Sequence, residues 1–140
     1  MNRRTLHPLG ETEMEVLQHV WALGAAPVAA VHERVLPTRE VAYTTVMTVM
    51  KKLATKGYLT YRREGNAYVY SAAQAPEAVR GDLLRGLMDK AFSGSPGALV
   101  QTLVRSESLS ADELDDIRRI VDALQARDGA SSGDAPSRNA

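Results

Sequence analysis

Val46, Val49, Met50 and Leu53 recur at i, i+3, i+4 and i+7, a spacing that predicts a helix over residues 42–56 with one apolar face. Lys56 followed by Gly57 reads as a cationic last turn and a left-handed stop. Residues 58–63 and 67–72 then alternate as paired strands around Glu64, Gly65 and Asn66. Upstream, Thr12 with Glu15 forms a capping-box pattern that opens a helix carrying Met14, Leu17, Val20 and Trp21 inward, with Leu9 as a staple and Gly24 as its end. Pro27 leads into a shorter helix over 29–36, in which Val31 and Val35 face one way and His32, Glu33 and Arg34 another; Pro37 ends it. Thr38, Arg39 and Glu40 lie in the turn before the 42–56 helix. Helix, short helix, turn, longer helix and hairpin is the order of a winged helix-turn-helix.

The apolar pattern changes after residue 73. Pro76 opens a helix to about residue 92 whose Leu83, Leu84, Leu87, Met88, Ala91 and Phe92 make a broad apolar side, despite Gly81 and Gly86. Ser95 and Pro96 begin a short helix with Leu99, Val100, Leu103 and Val104. Ser110 with Glu113 is a further capping box, and Leu114, Ile117, Val121 and Leu124 follow at a and d spacing with Ile120 beside them. Such stripes beside a small domain point to a subunit interface, with Leu83, Leu87, Leu114, Ile117, Val121 and Leu124 as its candidates; an intramolecular three-helix core is the competing reading. The expected fold class is therefore mainly α with a small β-hairpin. A winged-helix domain spans 1–73, a helical dimerisation region 74–127, and a tail at 128–140, GASSGDAPSRNA after Asp128, is too polar to fold.

Seventeen basic residues balance seventeen acidic ones, which taken alone argues against a polyanionic partner. The distribution reverses that inference. Residues 1–72 carry nine Lys and Arg against six Glu, and from Tyr43 to Arg63 five bases meet no acid. The polar faces of the 42–56 helix hold Thr44, Thr45, Met47, Thr48, Lys51, Lys52 and Thr55. Hydroxyls, a thioether and ammonium groups suit base edges, thymine methyls and phosphates in a major groove. A merely solvated face is the plain alternative, but the following hairpin is basic as well. For Tyr58, Tyr61, Tyr68 and Tyr70 the pattern favours core positions for most, and Trp21 is read as core.

With no cysteine, the chain has neither disulfides nor thiolate chemistry. His7, His19 and His32 lack metal-ligand spacing, no glycine loop or GxSxG is present, and Asp112, Glu113, Asp115 and Asp116 lie at a helix start, where they favour the dipole. No enzyme activity, metal or cofactor is expected. The start, MNRRTLHPLGE, lacks a signal-peptide apolar region and no stretch is long enough to span a bilayer, so a cytoplasmic protein is expected.

LGETEMEVLQHVW, AYTTVMTVMKKLATKGYL, REGNAYVYSA and LSADELDDIRRIV together resemble the BlaI/MecI/CopY family of bacterial repressors, over residues 9–124. The resemblance implies a winged-helix repressor that sits as a homodimer on inverted-repeat operators in double-stranded DNA, with TACA and TGTA half-sites. It also implies base reading by Tyr43, Thr44, Thr45, Met47 and Thr48. Lys51, Lys52, Arg62, Arg63 and Asn66 are read as backbone contacts. Copper-responsive members carry a C-terminal cysteine cluster, which is absent here. β-Lactam-responsive members are cut, often at an Asn-Phe bond, after signalling by a membrane sensor metalloprotease; the corresponding position is Thr102 and Leu103. Rival readings are a winged-helix protein-interaction module, or a small-molecule sensor with a pocket between wing and dimer helices.

Overall fold

The computed structural model describes residues 9–106 and 108–132, the side chains of 130–132 excepted. The chain falls into two compact units divided between Leu87 and Met88.

The first unit begins with α1 (Glu11–Leu23), β1 (Ala25–Pro27) and α2 (Val28–Val35). It continues through α3 (Tyr43–Thr55), β2 (Leu59–Glu64) and β3 (Ala67–Ala72) into α4 (Pro76–Ala91), whose residues up to Leu87 belong to it. Val16, Leu17 and Val20 from α1, Val31 and Val35 from α2, and Val46, Met50 and Leu53 from α3 share one core with Tyr58, Leu59, Tyr70 and Val79. These helical residues follow the apolar spacing in the sequence, so burial of one stripe per helix dictates the three-helix packing. Val79 is buried in this core, and the Arg80 guanidinium lies 5.1 Å from the Trp21 ring centroid. The compact unit thus extends beyond residue 73 into α4 because that helix docks a valine and a cation on it. Trp21 itself is only partly buried, and its Nε1 is buried without a hydrogen-bond partner among the described residues.

Several local expectations change. Gly10, not Thr12, caps α1: Glu13 Oε1 accepts the Gly10 N–H at 3.2 Å, while the Thr12 hydroxyl accepts from Arg39 Nη1 at 2.7 Å. β1 was not anticipated. It pairs antiparallel with β3, giving sheet order β1-β3-β2, and its short, proline-ended sequence becomes a strand only because the β3 edge supplies a partner. Tyr58 and Tyr70 are buried, whereas Tyr61 and Tyr68 are 54% and 46% exposed. Core placement for most of the tyrosines is thereby corrected, because the outer end of the sheet face extends past the helix that covers its base.

In the second unit, α4 ends at Ala91, α5 spans Pro96–Ser106 and α6 spans Ala111–Ser132. The Ser95 hydroxyl accepts the Ala98 N–H at 3.1 Å. Ser110 accepts the Glu113 N–H at 3.1 Å while Glu113 reaches back to the Ser110 N–H at 3.4 Å, the reciprocal box expected there. α6 continues past Asp128 to Ser132, so disorder does not begin at 128. A formed helix extends at small cost per residue even through a poor sequence. The rest of the expected tail, 133–140, and His7 lie outside the described residues. Val100, Leu103, Val104, Leu114, Ile120, Val121 and Leu124 are all exposed, and Ile117 is half-buried.

Candidate nucleic-acid interface

α3 is held at both ends. Its C-terminus closes with Gly57 at φ +88°: the Tyr58 N–H donates to the Leu53 carbonyl at 2.9 Å and the Gly57 N–H to the Ala54 carbonyl at 3.1 Å. This is the paired C-terminal motif that a left-handed glycine allows, and its accompanying apolar contact is supplied by buried Leu53 and Tyr58. Lys56 Nζ donates to both carboxylate oxygens of Glu13 at 2.8 Å, tying the end of α3 to α1. Burial of Glu13 opposes its ionisation. Hydrogen bonds from Lys56 and the Gly10 N–H, with the charges of Lys56 and Lys52, outweigh that and hold its carboxyl below the usual carboxylate range.

The N-terminal end is fixed by His32 and by residues of the preceding turn, a role that their sequence pattern does not indicate. His32 Nε2 lies 2.7 Å from the Val41 carbonyl, and its ring meets Tyr43 edge-on at 5.8 Å between centroids. Arg39 pairs with Glu15 at 3.3 Å, and the Thr38 hydroxyl donates to Glu15 at 3.0 Å. The turn between α2 and α3 is therefore tied to α1. Nothing in the spacing of His32 or Arg39 signals this, because their partners meet them only once the helices cross.

The outward arc of α3 carries Thr44, Thr45, Thr48, Lys51, Lys52 and Thr55, all exposed. No carboxylate lies in α3, and among the described residues neither Lys51 nor Lys52 makes an ion pair. The Thr48 hydroxyl donates to the Thr44 carbonyl at 2.9 Å and that of Thr55 to the Lys51 carbonyl at 3.1 Å. With the donor spent on the backbone, each presents a methyl and oxygen lone pairs outward. Met47 differs from the sequence expectation: it is half-buried and packs against the core, at the edge of the helix rather than on its outer face. Tyr43, at the same edge, is exposed and engaged with His32.

The wing carries the remaining basic groups. Arg62 Nη2 pairs with Glu64 at 2.7 Å, since residues two apart on a strand share a face. Its charge is locally offset. Arg63 lies opposite Tyr68 in the ladder and donates from Nε to the Gly65 carbonyl at 3.2 Å. Asn66 is exposed in the turn, where Gly65 takes φ +60°. Between α3 and the sheet is a cleft of about 470 Å³ lined by Lys51, Ala54, Thr55, Tyr61, Tyr68 and Tyr70.

The described residues hold no cluster of three or more His, Cys, Asp or Glu able to bind a metal, and no helix among them is long and apolar enough to cross a membrane. Thr102 and Leu103 are exposed but helical, and the Thr102 carbonyl accepts the Ser106 hydroxyl at 2.6 Å.

The sequence profile of the penicillinase repressor family matches residues 9–123. The chain belongs to the penicillinase repressor family. Among the relatives of this repressor-family chain is the transcriptional regulator BlaI of Mycobacterium tuberculosis, 38% identical over 127 residues that cover 86% of this chain and 88% of that one. The methicillin resistance regulatory protein MecI of Staphylococcus aureus is 22% identical over 121 residues, covering 86% of this chain and 98% of MecI. Among solved structures, Bacillus licheniformis BlaI, monomeric and in complex with the blaP half-operator, matches 52% of this chain and 89% of its own, at 22% identity and a TM-score of 0.46.

Proposed function

We propose that this member of the penicillinase repressor family, a DNA-binding transcriptional repressor, occupies inverted-repeat operators as a homodimer and places α3 in the major groove of each half-site. The observation that carries this is the outward face of α3: hydroxyls, methyls and two ammonium groups without a carboxylate, on a helix fixed at both ends. Thr44, Thr45 and Thr48 approach base edges. Thr48 offers its methyl to a thymine, or an oxygen lone pair to an exocyclic amino group. Tyr43 and Met47 border that surface on the wing side. Lys51, Lys52, Arg63 and Asn66 contact phosphates; Arg62 can join them only by loosening its hold on Glu64.

The exposed stripes of α4, α5 and α6, with Leu83, Leu87, Leu114, Ile117, Val121 and Leu124, meet a second copy. Repression is steric, and anything that separates the two copies relieves it. Cleavage at Thr102 and Leu103 by a membrane sensor metalloprotease would do so, provided α5 first unwinds, because proteases act on exposed, unpaired backbone. The test is competition binding. Thr48→Ala should reduce discrimination between an inverted-repeat duplex and random DNA by about 1–3 kcal/mol, with folding preserved. Unchanged discrimination in both Thr44→Ala and Thr48→Ala removes α3 from the groove.

A further inference from the structure

We infer that the cleft between α3 and the β2–β3 sheet seats one sugar–phosphate unit of the DNA strand running beside α3, so that tyrosines rather than Arg62 anchor the wing. The inference rests on the DNA-binding reading above. Lys51, Ala54 and Thr55 form the helix wall; Tyr61, Tyr68 and Tyr70 form the sheet wall. Tyr61 and Tyr68 meet edge to face at 5.3 Å, and Tyr61 lies 5.5 Å from Tyr70.

The chemistry of the walls selects the occupant. No carboxylate lines the cleft, and the Lys51 ammonium makes no ion pair among the described residues, so an anion is complemented there. Thr55 has spent its hydroxyl proton on the Lys51 carbonyl and contributes a methyl. The hydroxyls of Tyr61 and Tyr68 have no hydrogen-bond partner among the described residues and remain available as donors. Apolar ring faces with phenolic donors and one cation match a deoxyribose next to a phosphate. The shape agrees: Lys51, Thr55, Tyr61 and Tyr68 are exposed, so the cleft is open-sided and accommodates a strand passing through it. It also continues the carboxylate-free face of α3, since Lys51 belongs to both. The more obvious wing cation, Arg62, is held by Glu64.

Fluorescence anisotropy on the full chain tests the assignment, using an inverted-repeat duplex selected from a random pool and a scrambled duplex of equal length. The Tyr61→Phe, Tyr68→Phe double variant keeps the rings and loses the donors. It should lower affinity about tenfold for both duplexes alike, with the salt slope unchanged because no cation is lost. Lys51→Gln should reduce the salt slope by about one. Wild-type affinity in the phenylalanine variant, with discrimination still lost in Thr48→Ala, overturns the cleft while leaving the α3 reading intact. A loss confined to the selected duplex also overturns it, since the cleft would then read bases. Intact discrimination in both Thr44→Ala and Thr48→Ala defeats the α3 reading and the cleft with it. Tyr61 and Tyr68 are exposed, so an unchanged urea midpoint certifies that the variant is folded.

Discussion

Replacing Glu13 removes the tie between the start of α1 and the end of α3, and its cost can be built from the contacts. Glu13 accepts two hydrogen bonds from Lys56 at 2.8 Å and one from the Gly10 N–H at 3.2 Å, and its side chain is 16% exposed. A partly shielded charge-assisted pair contributes about 1–2 kcal/mol, between the surface and buried limits, and the N-terminal hydrogen bond about 0.5–1 kcal/mol. Glu13→Ala should therefore destabilise by about 2 kcal/mol, lowering the urea midpoint by about 1 M. Glu13→Gln keeps an acceptor for Gly10 and should cost about half as much. Because the folded carboxyl titrates below its unfolded value, the stabilisation from its charge is present above the unfolded value of 4.5 and fades as pH falls through the folded one. Urea titrations of wild type and Glu13→Gln should thus differ most near neutral pH and converge in acid. A gap that stays constant from neutral pH to pH ~3 would show that the carboxylate charge contributes nothing to holding α3.

Gly57→Ala places a Cβ at φ +88° where no atom lies within 4 Å, so only backbone strain is added; a loss of about 1–2 kcal/mol in urea unfolding is expected, and no loss would mean that the turn relaxes freely. Tyr58 and Tyr70 have phenols raised by burial, with Glu13 and Asp82 adding for Tyr58 and neighbouring tyrosines for Tyr70. Their contribution is complete below pH 10.0, the ordinary phenol value, and is lost as pH rises through the higher folded values. Tyr58→Phe should consequently flatten the alkaline decline in thermal stability. If the proposed homodimer uses α6, replacing both Ile117 and Val121 by Asp should leave a monomer in sedimentation, since charges in an apolar contact are strongly unfavourable; a folded dimer with wild-type DNA affinity would place these residues elsewhere.

Periodicity was sufficient where burial alone decides structure. Val46, Met50 and Leu53 mark the inner face of α3, and Lys56 with Gly57 marks its end, because both signals are local. Legibility failed where a partner distant in sequence decides. β1 needs the β3 edge, and Thr12 with Glu15 mimics a capping motif that Gly10 with Glu13 fulfils only in part, glycine having no side chain. Alternation along β2 and β3 identified two faces but not how far α3 covers one of them, which separates buried Tyr70 from exposed Tyr61 and Tyr68. Exclusion from the apolar spacing puts Met47 on the polar face, yet the edge of a helical stripe is where half-buried residues sit. The run of bases without an acid stops at Arg63, and the next residue, Glu64, supplies the carboxylate that holds Arg62.

The attachments of α3 bear on how such a repressor can be switched. Its C-terminus is locked by Gly57 and by Glu13, and its entry by His32 and the Glu15 contacts of the preceding turn. A helix restrained from both ends presents its side chains without an ordering step, which favours binding but leaves little room for a signal to act by reshaping it. Most large apolar residues of α5 and α6 stand exposed in one chain, and if a second copy covers them, that cover is what an external event can remove. On the homodimer reading, each half-site contact alone is weak, and the pair gains from the effective concentration that linkage provides. Breaking that linkage is then enough for release, with α3 and the wing unchanged. This separates the two places where substitutions should act: those on α3 alter which DNA is preferred, whereas those on α6 weaken the hold on every operator by a common factor.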